Sequence, residues 1–118
     1  MTAGDISRLA GSAHGRSRAT VWNGLVFTVA TAADAGETVA EQTRATLKTL
    51  GANLADAGSG TDRILSATVF MADIGAKAEM DAEWDAWVGD ADRWPQRACV
   101  QVTLPAGVLV EVTAIAKI

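Results

Sequence analysis

An arginine and a cysteine lie two residues apart in the segment WPQRACV, which covers residues 94–100. Side chains alternate along a strand, so we expect Arg97 and Cys99 on one face and Ala98 on the other. A guanidinium that leaves an apolar strand just after Pro95 suits a substrate carboxylate, because it offers paired donors. The alternative is an arginine that reaches solvent or pairs with a neighbouring subunit.

Glu111 is the second candidate, because it stands in the middle of the apolar run VLVEVTAIA, residues 108–116. A carboxylate is costly to bury unless it is paired or used in chemistry. Two interpretations are open: an ion pair with an arginine across an interface, or a carboxylate that orients or deprotonates water.

The other reactive side chains give weaker signals. Cys99 is the single cysteine and has no histidine nearby to lower its pKa, which favours a small buried hydrophobe over a thiolate nucleophile. His14, the single histidine, lies in a polar stretch where we expect it to be exposed. It leaves no His/Cys cluster for zinc, so we expect no metal. The sequence has no GxSxG, P-loop, GxGxxG, CxxC or HExxH motif.

Charge and composition disfavour several kinds of partner. Ten basic and fourteen acidic residues give a net charge of −4, which argues against binding nucleic acid through its phosphates. No continuous apolar stretch opens the chain and no window reaches the ~18 apolar residues of a membrane span, so we expect neither a signal peptide nor a membrane partner. The single cysteine indicates a reducing compartment, and we expect a cytoplasmic protein.

Two helices must position these residues. Small and apolar residues at helical spacing predict a first helix between a Thr38–Glu41 capping box and Gly58. Its inner face comprises Val39, Thr43, Leu47, Leu50, Leu54 and Ala57. The second is predicted from about Ala76 to Val88, with Met80, Trp84, Trp87 and Val88 on its inner side. That stripe is typical of core packing rather than of a cofactor site, so both tryptophans are expected to be largely buried.

Strands account for the rest of the chain. They are predicted at Ala19–Trp22, Leu25–Ala30, Ile64–Met71, Arg97–Leu104 and Val108–Ala116, with a short extra strand near Ile6. Asn23-Gly24 indicates a hairpin between the first two. Strands interleaved with helices predict an α+β fold, in which a mixed sheet carries both helices on one face.

The other face of this sheet is expected to be apolar as well. Alternation within Ile64–Met71 puts Leu65, Ala67, Val69 and Met71 on one face, and Ile64 and Phe70 on the other with Ser66 and Thr68. Exposed apolar area of that size marks an interface. We therefore expect the uncovered face to be buried in a homo-oligomer.

Several segments, in matching order and spacing, resemble the RidA (YjgF, reactive intermediate deaminase) family. The stretch from EQTR to LADAG (residues 41–58) is similar to its first helix, ILSATVFMADI to the following strand, and MDAEWDAWV to its second helix. WPQRACVQVTLPAGVLVEVTAIA is similar to its C-terminal signature, in which a proline and an arginine precede a leucine–proline pair and an apolar–Glu–apolar strand. The resemblance covers residues 21–118 and is closest to the less characterised branches.

The resemblance implies a chorismate-mutase-like fold, with residues 1–118 as a single RidA-like domain that forms a homotrimer with clefts between subunits. It also changes the expected strand order. The sequence alone suggests that the strands at 97–104 and 108–116 pair as a hairpin. In the family fold the last strand instead inserts between the Leu25–Ala30 and Ile64–Met71 strands.

RidA-like enzymes hydrolyse reactive enamines and imines of the 2-aminoacrylate type, such as 2-iminobutanoate and 2-iminopropanoate, with water as the nucleophile and no cofactor. The resemblance implies that Arg97 binds the substrate's carboxylate. It also implies that Glu111 and Cys99 are the catalytic residues, and that Glu111 holds the water.

The remaining expected substrate-binding positions are Arg16, Val29 and Thr31, and they depart from the family's pattern. Arg16 stands where deaminases commonly have a tyrosine, and residues 29–31 replace a Ser-Gly-Gln segment. Asp81 also replaces a common asparagine. Two functions therefore stay open: a deaminase, and a non-catalytic trimeric module that binds a small carboxylate, such as a 2-keto acid, in the same cleft.

Overall fold

The computed structural model describes residues 4–118. Within them, six strands and two α-helices confirm the predicted order, including the short extra strand at the start. The elements are β1 Ser7–Ala10, β2 Ser17–Trp22, β3 Leu25–Thr31, α1 Val39–Asp56, β4 Ile64–Met71, α2 Lys77–Val88, β5 Gln96–Gln101 and β6 Val110–Lys117.

The strands form one mixed sheet in the order β1-β2-β3-β6-β4-β5. Among these neighbours β4 and β5 run parallel and the others antiparallel. β6 lies between β3 and β4, as the family resemblance implied, and the hairpin suggested by the sequence alone is wrong. The chain leaves β5 early and crosses the end of β4, where Val102 N donates to Met71 O and Ala72 N donates to Leu109 O. Residues 102–104, predicted as strand, therefore belong to this crossing.

Local signals fix the ends of the elements. Asn23 and Gly24 both have positive φ, 52° and 77°, which is the geometry of the predicted tight hairpin. Helix α1 begins with the predicted capping box, because Thr38 Oγ1 accepts from Glu41 N and the Glu41 carboxylate accepts from Thr38 N. It ends where Gly58 takes a φ of 90°, in the left-handed region that glycine tolerates.

Both helices cover one side of the sheet, which we call the helix face. The core lies between the helices and the sheet. It is formed by Leu47, Leu50 and Leu54 of α1, Met80, Trp84 and Val88 of α2, and Val26, Val69, Met71, Val110 and Val112 of the sheet. Trp84 is buried as predicted, but Trp87 is only half-buried, which corrects the sequence-based prediction. Its ring stacks obliquely on Trp84 at the rim of the helix pair.

The opposite side of the sheet, which we call the open face, has no helix over it in the described part of the chain. It exposes Phe27, Val100 and Ile115 beside threonines, and a groove of about 420 Å³ runs along β3, β6 and β4. One prediction for this region is wrong. A register shift at the start of β4 turns Ile64 into the core and leaves Leu65 half-exposed, because the ladder with β6 skips one residue there.

No helix within residues 4–118 is long and apolar enough to cross a membrane.

Candidate functional site

Arg97 lies on β5, the edge strand, and points to the helix face. Its ladder partner Ala67 is buried under the helices, and partners in register share a face. The guanidinium meets the side of α2, where Nη2 donates to Asp81 Oδ1 over 2.8 Å. Its carbon Cζ lies 5.1 Å from the centre of the Trp84 ring, within the range of a cation–π contact. We call Lys77, Asp81, Trp84 and Arg97 the Arg97 cluster.

Asp81 accepts from two cations. Its second carboxylate oxygen accepts from Lys77 Nζ over 2.7 Å, one helical turn earlier on α2. Burial alone would raise the pKa of Asp81, but hydrogen bonds from Lys77 and Arg97 and their charges outweigh it, so the pKa lies below its ordinary value. Asp81 is therefore ionised at neutral pH. The sequence reasoning noted this residue only as a departure from the family pattern.

Cys99 shares the face of Arg97, as predicted, and packs half-buried against the core. Burial raises the pKa of the Cys99 thiol, and the charges of Arg97 and Lys77 offset this only in part. The group is a neutral thiol at pH 7, which fits the interpretation as a small hydrophobe rather than a thiolate nucleophile.

A cavity of about 360 Å³ opens beside Arg97. Its walls are Trp84, Trp94 and Pro95, together with the carboxylates of Asp81 and Asp85. Trp94 is 63% exposed, so this cavity has an apolar rim that faces out from the chain.

Glu111 lies on β6 in a separate group, which we call the Glu111 cluster: Arg16, Val29, Thr31 and Glu111. Thr31 is the ladder partner of Glu111 on β3. The guanidinium of Arg16, from the loop before β2, approaches the Glu111 carboxylate to 4.0 Å. The structure thus brings together four predicted site residues from three parts of the chain.

Val29 and Thr31 line a second cavity, of about 250 Å³, with Arg16. Sequence reasoning missed two of its residues, Arg18 and Asn53. Asn53 is buried on α1 and donates through Nδ2 to Thr28 Oγ1 and Val29 O, while its oxygen accepts from Arg18 Nη1. Asn53 could have been found from the sequence as a polar amide within the apolar face of the predicted helix.

Sequence reasoning also missed Gln42, a second polar amide on α1. It is buried at the start of α1, and its amide nitrogen donates to Gly36 O and Gly107 O. Its oxygen accepts from Leu109 N, two residues before Glu111. Gln42 therefore holds the chain segment that leads into the Glu111 cluster.

The two clusters do not meet within one chain. Glu111 is paired with Phe70 of β4, whereas Arg97 is paired with Ala67, and these two β4 residues point to opposite faces. Arg97 thus lies on the helix face, and Glu111 lies on the open face across β4. His14 is exposed in the N-terminal loop, as predicted, and is not among the residues that line either cavity.

Two helices on one face of this mixed sheet, with the last strand inserted at its centre, define the class of fold that the resemblance implied. The family model described as endoribonuclease L-PSP matches residues 9–118, which include both clusters. The chain belongs to this family, which is also called RidA/YjgF.

Individual relatives agree with this assignment. The chain is 45% identical to the RutC family protein YoaB of Escherichia coli over 64 residues, and 37% identical to a RutC family protein of Synechocystis over 76 residues. These matches span 54% and 64% of this chain, and only 55% and 58% of the relatives' own lengths.

Solved structures match over nearly the full chain. A YjgF family protein from Neisseria meningitidis has a TM-score of 0.90 and 36% identity, with 98% of this chain and 97% of that chain covered. A YjgF/YER057c/UK114 family protein from Mycobacterium tuberculosis has a TM-score of 0.87 and 25% identity, with 97% and 100% covered.

Proposed function

We propose that this protein is a hydrolytic deaminase of small 2-imino acids and their enamine tautomers, and that it acts in a cleft between copies of the chain. The observation that carries the proposal is the division of the site into two half-sites. Arg97 presents a guanidinium at an edge strand, and Glu111 presents a carboxylate on the open face. Arg97 and Glu111 lie on opposite faces of the sheet and cannot meet within one chain, so a second copy is needed to join them.

A homotrimer supplies such clefts three times over. The open face is apolar at Phe27, Val100 and Ile115, which a single chain leaves in water. We propose that neighbouring copies cover this face and that the Arg97 cluster of one chain then lies beside the Glu111 cluster of the next. The single cysteine favours a reducing compartment, and we propose that the trimer acts in the cytoplasm.

The chemistry follows from the two groups. Arg97 binds the carboxylate of the imino acid and so fixes the position of the imine carbon. Glu111 takes a proton from a water molecule as the water oxygen bonds to that carbon, and returns the proton to the imine nitrogen. In the resulting amino alcohol Glu111 passes the hydroxyl proton to the amine as the carbon–nitrogen bond breaks, and ammonia and a 2-keto acid leave. The reaction uses only water, so it requires no cofactor.

A second function, binding without turnover, is favoured by one observation. The Arg16 guanidinium lies 4.0 Å from the Glu111 carboxylate, and the apolar Val29 stands where the deaminases have a serine. An Arg16 guanidinium at this distance competes with a water molecule for the Glu111 carboxylate. The chain would then be a trimeric module that binds small carboxylates. Cleavage of RNA, the activity in the family's description, is disfavoured by the net charge of −4.

Ammonia release from freshly generated 2-imino acids tests the first function, with binding of 2-keto acids measured on the same samples. We expect the wild type to accelerate release. Glu111→Gln should bind keto acid and lose turnover. Arg97→Ala should lose roughly tenfold to a hundredfold in affinity, the value of one charged hydrogen bond, and Arg97→Lys should lose less.

The outcomes separate the two functions. Saturable binding without turnover by the wild type selects the binding module. A particle near the chain mass of 12.2 kDa would contradict both, since each needs the joined cleft. If Arg97 instead only ties subunits together, Arg97→Ala will loosen the trimer without a specific effect on ligand.

A further inference from the structure

Arg97 already has a carboxylate partner from its own chain. Asp81 Oδ1 accepts from Nη2 over 2.8 Å, and the Arg97 side chain is 20% exposed. The other Asp81 oxygen accepts from Lys77. On the remaining sides, the guanidinium faces the Trp84 ring and lies 3.9 Å from Met80 Sδ. Any ligand carboxylate must therefore bind Arg97 in the presence of a fixed negative charge.

The three charged groups of the Arg97 cluster sum to a single positive charge, since Lys77 and Arg97 are opposed by Asp81. One ligand carboxylate balances that charge. A second carboxylate on the ligand finds no further cation among the described residues that line the adjoining cavity, which adds the carboxylate of Asp85 and the indoles of Trp84 and Trp94. Arg16 of the Glu111 cluster already faces the Glu111 carboxylate. In the described residues Arg97 is the one cation that lines this cavity.

We propose that Asp81 is a specificity-determining residue: a resident counter-ion that restricts the cleft to monocarboxylates with an uncharged side chain and excludes dicarboxylates. The inference rests on the proposed function, because it assigns to Arg97 the binding of the ligand's carboxylate. It adds a substrate class to that function. Imino acids with apolar or aromatic side chains fit the indole-walled cavity, whereas those with a second carboxylate meet Asp81 and Asp85.

The test is the affinity for two probes, 2-ketobutyrate with one carboxylate and 2-ketoglutarate with two. Asp81→Asn keeps the shape and one of the two acceptor oxygens but removes the charge. We expect this variant to bind both probes more tightly and to gain more for 2-ketoglutarate, so that the preference for the monocarboxylate falls roughly tenfold, the order expected for one unit charge at a partly exposed site.

Two further variants isolate the charge. Asp81→Glu retains it and should keep the wild-type preference. Asp92→Asn makes the same change of net charge at an exposed residue that does not line the cavity, and should leave both affinities unchanged. If Asp81→Asn does not fold, Asp81→Glu still tests the inference, because loss of the wild-type preference in that variant would contradict the role of the charge.

The failure of this inference is distinguishable from the failure of the proposed function. An unchanged preference in Asp81→Asn, or weaker binding of both probes, overturns the inference while the cleft remains a carboxylate site. If neither wild type nor Asp81→Asn binds either probe, the proposed function is overturned as well.

Discussion

Arg97 and Glu111 lie on opposite faces of one sheet, on strands that β4 separates. The ladder fixes this relationship, because Ala67 and Phe70, their respective partners on β4, differ by an odd number of residues. A side-chain rearrangement cannot bring the two groups together within a chain. The deaminase proposal therefore requires a subunit interface, and several consequences can be measured.

Truncation of Trp84 should destabilise the fold. Trp84, on α2, is 5% exposed and contacts the Trp87 ring and the Arg97 guanidinium. We expect Trp84→Ala to lower the free energy of unfolding by about 3–5 kcal/mol, measured by urea denaturation at a fixed protomer concentration. Trp87→Ala removes a half-buried ring and should cost less. Equal losses in the two variants would show that the burial described for α2 is wrong.

Gln42 should contribute substantially to the stability of the fold, although its side chain is polar. Its side-chain amide satisfies Gly36 O, Gly107 O and Leu109 N from a buried position on α1. We expect Gln42→Ala to destabilise by about 2–3 kcal/mol, since buried partners lose their hydrogen bonds. Lys48→Ala, at an exposed position on the same helix, is the matched control. A Gln42→Ala variant as stable as this control would contradict the role of the amide.

The Cys99 thiol should react slowly. Burial raises its pKa, so the folded protein holds the proton to higher pH than a free cysteine does. The rate of alkylation by iodoacetamide should be below that of free cysteine at pH 7 and should rise with pH, with a midpoint above that of free cysteine. Rapid alkylation at neutral pH would contradict this.

The raised pKa of the Cys99 thiol also has a consequence for catalysis. A neutral thiol does not act as the nucleophile, and the proposal assigns that role to water. Cys99→Ala should therefore retain ammonia release to within roughly tenfold of the wild type, a loss compatible with altered packing alone. Complete loss of turnover in a correctly folded Cys99→Ala variant would show that the thiol takes part in the reaction.

Much of the fold follows from local signals. Three local features set the ends of their elements: the capping box, Gly58 and Asn23-Gly24. The capping box satisfies free backbone N–H groups, and the glycines allow sharp turns, so each acts within a few residues. The register shift at Leu65 does not follow, because it depends on how β4 meets a strand about fifty residues later. The order of the C-terminal strands was predicted only from the family resemblance, because the local sequence of β5 and β6 is also compatible with a hairpin.

The site was predictable by residue type rather than by geometry. Arg97 and Glu111 stand out as charges within apolar strands, but alternation relates side chains only within one strand. The relative faces of β5 and β6 depend on their registers with β4. The contact between Arg97 and Asp81 depends on the packing of α2 against the sheet, and no spacing in the sequence encodes it.

The most direct test of a site shared between subunits is complementation between two inactive variants. Arg97→Ala and Glu111→Gln chains are refolded together in equal amounts, with mixed oligomers verified by mass, and ammonia release is compared with that of each variant refolded alone. If Arg97 comes from one chain and Glu111 from its neighbour, about one site in four regains both native residues, so about a quarter of the wild-type activity should return. If mixed oligomers form and the activity stays at the level of the separate variants, the two residues do not act together across the interface, and the account is contradicted.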